Sequence, residues 1–121
     1  MFEIDSISRV PIFEQIVAKT EEYVRVGILS PGDKLPSVRE LTSQIGVNPN
    51  TIQKAYNELD RRGITVSVAG KGSFISKDAT DIIKASALSR LPQLEKLVAD
   101  LMASGIDKET ILETVRNAIK E

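Results

Sequence analysis

The chain has 121 residues, 41% of them hydrophobic, and a net charge of −1, which suits one compact domain or a small domain with an appendage and points to no partner by overall charge. It contains no cysteine and no histidine, which excludes a disulfide framework, a thiolate zinc site and the commonest general base and metal ligand. The other titratable groups are carboxylates and lysines without paired spacing, so no enzyme activity, metal or cofactor is expected.

Phe2 to Val10 reads as an extended arm. Pro11 then opens a helix with Ile12, Phe13, Ile16, Thr20, Tyr23 and Val24 along one face, and Gly27 ends it. The segment SPGDKLPS carries two prolines and a glycine in eight residues and is expected to be a turn. In the next helix Val38, Leu41, Thr42 and Ile45 share a face, with Ser37 and Glu40 as an S-x-x-E capping box. Gly46 suits a left-handed helix end. Asn48 caps a following helix whose first residue is Pro49, an amide without the N–H that would go unpaired there.

Two short helices across about three residues make a helix-turn-helix. The second buries Ile52, Ala55, Tyr56 and Leu59, with Val47 stapling onto Ile52. It leaves Asn50, Thr51, Gln53, Lys54 and Asn57 facing outward. These amides, hydroxyl and ammonium donate to phosphates and base edges, and they cluster at the end that enters the major groove in this motif. Ile64, Val66 and Val68 alternate with Thr65 and Ser67 as a half-buried strand; Ala69, Gly70, Lys71 and Gly72 form a loop, and Ser73 to Ser76 return. A helix-turn-helix followed by a hairpin is a winged helix. From Lys34 to Lys77 seven basic residues face three acidic ones, a surplus of +4, which leaves −5 for the remainder.

From Asp78 only helical periodicity remains. Ile82, Ile83, Leu88 and Leu91 lead into Leu94, Leu97, Val98, Leu101 and Met102, and Pro92 is expected to kink or divide that helix. Gly105 stops it. Asp107 caps a last helix bearing Ile111, Leu112, Val115 and Ile119, with Ile106 placed to staple onto Ile111. The chain is thus expected to be mostly α with a small β-hairpin: a winged helix-turn-helix domain over residues 1–77 and a short two-helix dimerisation tail over 78–121. Two amphipathic helices cannot enclose a core alone, so Leu94, Leu97, Val98, Leu101, Met102, Ile111, Leu112 and Val115 are expected to form a homodimer interface. A two-fold dimer would set two recognition helices about one DNA turn, roughly 34 Å, apart over a palindromic operator. With no run of about 18 apolar residues and no signal peptide in MFEIDSISR, the expected location is cytoplasmic, without a membrane partner.

The motifs P-I-F-E-Q-I at 11–16, L-S-P-G-D-K-L-P-S-V-R-E-L at 29–41, the helix-turn-helix and G-K-G-S-F-I at 70–75 resemble the GntR family of bacterial transcription regulators. N-P-N-T at 48–51 and the short tail resemble its YtrA-like subfamily. The resemblance implies a homodimeric, sequence-specific DNA-binding regulator, usually a repressor, of an operon that often encodes an ABC transporter. It also implies DNA contacts at Arg39, Asn48, Asn50, Thr51 and Gln53, and at Gly70, Lys71 and Gly72 in the wing. Many GntR proteins carry arginine where this chain has Pro49 and Gln53, which removes two candidate bidentate readers of guanine, so their operator preference does not carry over to it.

Each candidate also has a purely structural reading. Arg39 could snorkel over its helix, Asn48 and Pro49 start a helix in any protein, and Lys54 is expected at a phosphate. Arg61 and Arg62 read either as DNA contacts or as complements to the helix dipole. Tyr56 belongs to the core. The G-K-G-S run lacks the strand and helix of a phosphate-binding loop. The alternative function is a winged-helix module that binds protein in a larger assembly. Any small-molecule effector is expected between subunits or between tail and winged domain, since the tail is too small to enclose a pocket of about 300 Å³.

Overall fold

The computed structural model describes residues 2–120. Among them the order is α1 (Ile12–Arg25), α2 (Val38–Ile45), α3 (Pro49–Arg62), β1 (Thr65–Val68), β2 (Gly72–Ile75), α4 (Ala79–Leu88), α5 (Leu91–Ala103) and α6 (Lys108–Ala118). The protein is therefore mostly helical with one antiparallel hairpin. It divides into two compact units, the first ending at Ala85 and the second beginning at Ser86.

In the first unit α1 and α2 both lie against α3. The expected stripe of α3, Ile52, Ala55, Tyr56 and Leu59, is buried, and Ile16, Val17 and Val24 of α1 and Leu41 of α2 join it. Ala79 and Ile83 of α4 also enter this core. The arm before α1 is not free. Phe2 is buried with its ring edge-on to Tyr23, centroids 5.6 Å apart. The Gln15 amide clasps the arm: Nε2 donates to the carbonyls of Asp5 and Val10, and Oε1 accepts from the Asp5 N–H, each at 2.9 Å. Pro11 stands one place earlier than expected, as the extended residue before α1, where its carbonyl accepts from Gln15 N–H.

Three further expectations are corrected. The connector from α1 to α2 is more than a turn, because Lys34 forms a β-bridge to Phe74 while Leu35 N–H donates to Ser73 and Ile75 N–H to Asp33. The hairpin therefore gains a third, one-residue edge. In β1 the expected alternation is absent: only Thr65 is buried, whereas Ser67 is exposed and Val66 and Val68 are 51% and 40% exposed. The cause is the Asp60 carboxylate at the end of α3, which accepts hydrogen bonds from the hydroxyls of both Thr65 and Ser67. Two hydroxyls on one carboxylate fix which side of the strand faces the helix, and strand residues two apart share a face. Gly72, expected in the loop, is the first residue of β2 and pairs with Val68.

In the second unit α5 and α6 are joined through Ser104–Asp107. Helical hydrogen bonding lapses at Ser89 and Arg90 and resumes at Leu91 with Pro92 in the first turn, so the helix is divided rather than kinked. Asp107 caps α6, its Oδ1 accepting from Thr110 N–H at 2.8 Å. Ile111 is buried, but Leu94, Leu97 and Met102 are about half exposed, at 47%, 55% and 49%.

Candidate nucleic-acid interface

The helix-turn-helix is built by its caps. Ser37 Oγ accepts from Glu40 N–H at 3.0 Å and Glu40 Oε1 accepts from Ser37 N–H at 3.3 Å, closing the capping box that starts α2. Gly46 ends α2 at φ +66, a backbone state a Cβ disfavours. Asn48 Oδ1 then accepts from Asn50 N–H at 2.8 Å, and Pro49 begins α3. These local devices fix the angle at which the start of α3 is presented.

Asn48, Asn50, Gln53, Lys54 and Asn57 are exposed on α3, and Thr51 is half-buried. Gln53 Nε2 donates to Asn57 Oδ1 at 2.9 Å, which orients the Gln53 amide and leaves its carbonyl oxygen and second N–H facing outward. Arg39 is exposed on α2 and has no ion pair among the described residues. Lys54 is placed differently from expectation, with its ammonium 4.0 Å from the centre of the Phe13 ring, a cation–π contact. Tyr56 is core, as expected: its hydroxyl donates to Pro36 O at 2.6 Å, and burial pushes its phenol pKa up, helped by the Glu40 charge.

The wing turn closes through Lys71 N–H to Val68 O at 2.9 Å. Between it and α3 lies a cleft of about 440 Å³ whose lining includes Ser37, Gln53, Tyr56, Ser67, Gly70, Lys71, Gly72 and Ser73. Gln53 and the wing residues are thus brought together, while Arg39, Asn48, Asn50, Thr51 and Lys54 lie outside that lining. Lys34 lines the cleft as well and escaped the sequence analysis, because its place depends on a bridge to Phe74, forty residues away in the chain. Asn57 stands on the outward face as expected, and its i, i+4 spacing to Gln53 explains the bond between them. Among the described residues no carboxylate lines the cleft.

Arg61 and Arg62 are committed elsewhere. Both guanidinium groups donate to Glu58, and Arg62 Nη1 reaches Glu21 of α1 at 2.8 Å. The hydrogen bonds from Arg61, then Arg62, hold the Glu58 carboxyl well below the usual range, at about 2. Among the described residues no helix is long and apolar enough to cross a membrane.

Residues 12–75 match the family of bacterial regulatory proteins called gntR. The chain is 42% identical over 117 residues to the HTH-type transcriptional repressor YtrA of Bacillus subtilis, a match covering 96% of this chain and 90% of that one. A transcriptional regulator from Oenococcus oeni superposes with a TM-score of 0.78 at 31% identity, over 99% of this chain and 100% of that one. The DNA-binding domain of AraR, solved with its operator ORX1, superposes with a TM-score of 0.55 at 31% identity, over 63% of this chain and 93% of that one. Regulators of this kind are not enzymes. A capped helix-turn-helix, an acid-free wing cleft and a family match over the same residues lead to one conclusion: the chain belongs to the GntR family, in its YtrA-like branch, and is a DNA-binding transcriptional regulator.

Proposed function

We propose that the protein is a homodimeric, cytoplasmic repressor that reads a palindromic operator in double-stranded DNA. The observation that carries this reading is the outward polar face of α3, where Asn50 and Gln53 stand exposed beside a cleft without carboxylates. With α3 in the major groove, Asn50 and the oriented Gln53 amide read base edges, each able to pair bidentately with adenine. Arg39, Asn48 and Thr51 bind backbone or base edges around the helix start, and Lys54 reaches a phosphate by leaving the Phe13 ring. Gly70, Lys71 and Gly72 follow the flanking minor groove or backbone.

The tail supplies the dimer. Leu94, Leu97, Val98, Leu101 and Met102 of α5 and Ile111, Leu112 and Val115 of α6 form the contact with a second copy. The half exposure of Leu94, Leu97 and Met102 supports it, since apolar surface of this extent marks an interaction site. A small-molecule effector, where one acts, binds between the subunits. The regulated operon, on the resemblance to the YtrA-like branch, encodes an ABC transporter.

A mobility-shift titration on duplexes selected by the protein from a random pool tests the reading. The expected result is a palindromic consensus, with Gln53→Ala relaxing preference at one position per half-site. Binding with no preference over competitor DNA overturns it, and a stoichiometric protein partner without DNA affinity favours the protein-binding module instead.

A further inference from the structure

The connector between α1 and α2 delivers a cation to the wing. The Lys34 backbone is pinned by its bridge to Phe74 and by hydrogen bonds on either side, from Leu35 N–H to Ser73 O at 2.9 Å and from Ile75 N–H to Asp33 O at 2.8 Å. From there its side chain runs directly over Gly72. A Cβ added to Gly72 would stand 2.9 Å from Lys34 Cε and 3.7 Å from Nζ, so the flexible end of the lysine lies against this residue. Gly72 has φ +118, which side chains rarely adopt, so glycine answers a backbone demand there.

The ammonium so held has no partner acid. Lys34 makes no ion pair among the described residues, whereas Lys19, Arg61, Arg62 and Arg116 each lie on a glutamate. It lines the same acid-free cleft as Lys71, Gln53 and the hydroxyls of Ser37, Ser67 and Ser73. Two cations among neutral donors, with no carboxylate to compete, form a donor set suited to a phosphodiester. We propose that Lys34 contacts a DNA backbone phosphate in the cleft between α3 and the wing. The proposal rests on the DNA reading above and adds to it a residue outside the helix-turn-helix and wing.

The full chain and its Lys34→Gln and Lys34→Arg variants are titrated by fluorescence anisotropy onto two duplexes, one selected by the wild type and one of scrambled sequence, across roughly 50 to 200 mM salt. Lys34→Gln is expected to weaken binding to both duplexes by the same factor, about five- to tenfold per protomer near 0.1 M salt. The slope of log affinity against log salt should fall by about one per protomer. Lys34→Arg restores both, and the melting temperatures stay together. An unaltered slope for Lys34→Gln, with wild-type binding intact, overturns the role of Lys34 and leaves the DNA reading standing. A loss confined to the selected duplex overturns it too, since that marks base readout. A wild type that binds neither duplex overturns both readings at once.

Discussion

Tyr56 joins two jobs in one side chain. Its ring fills the core under α3, and its hydroxyl crosses to the Pro36 carbonyl in the connector, so helix and connector are held at a fixed separation beside the cleft. Tyr56→Phe keeps the ring and leaves that carbonyl without its donor; the expected cost is about 1 kcal/mol, read from the urea midpoint with an unchanged m-value. The burial of Tyr56 was legible from its spacing with Ile52 and Leu59. Its hydroxyl's partner was not, because Pro36 is twenty residues distant and lies outside any helical period. The same limit applies to Lys54, whose ring partner Phe13 sits on α1. Contacts within one turn of helix can be read along the chain, whereas contacts between elements depend on how those elements dock.

At the scale of elements the caps were fully legible, since Ser37, Glu40, Gly46, Asn48 and Pro49 act within a few residues of one another. The wing was legible as a hairpin but not in its facing. Counting valines predicts a buried side that the strand does not have, because the Asp60 carboxylate of the neighbouring element gathers Thr65 and Ser67 instead. The end of α3 is tied to α1 in a similar way, through Glu58, Arg61, Arg62 and Glu21. Folding lowers the Glu58 pKa from 4.5 to about 2, so the charged form is favoured in the native state. Its contribution is therefore complete above pH 4.5 and is lost as pH falls toward 2. The melting temperature of Glu58→Gln should lie below that of the wild type near neutrality, and the gap should close through that acid window. A gap constant with pH would show that the carboxylate's charge is not involved.

For the whole molecule, the tail's stripes were legible as helices and Pro92 as a break or kink, with the choice between the two left to the structure. What they pack against was not, because an apolar face states only that it is to be covered. On the dimer reading, Leu97→Glu should convert the sedimenting species from dimer to monomer while the winged unit melts as before. Operator affinity should fall by roughly a hundredfold as the two half-sites are no longer held by one linked particle. A dimer that survives the change would move the contact away from α5.

The lapse in helical bonding at Ser89 and Arg90 has an engineering consequence. Every residue from 84 to 92 is exposed, and the core that Ile83 closes is complete before that point. A splice at Arg90 falls within this exposed stretch, so the front ninety residues are expected to keep their own core when grafted onto a foreign assembly module. Chimeras made there should keep the thermal midpoint of the parent's winged portion while taking their stoichiometry from the donor.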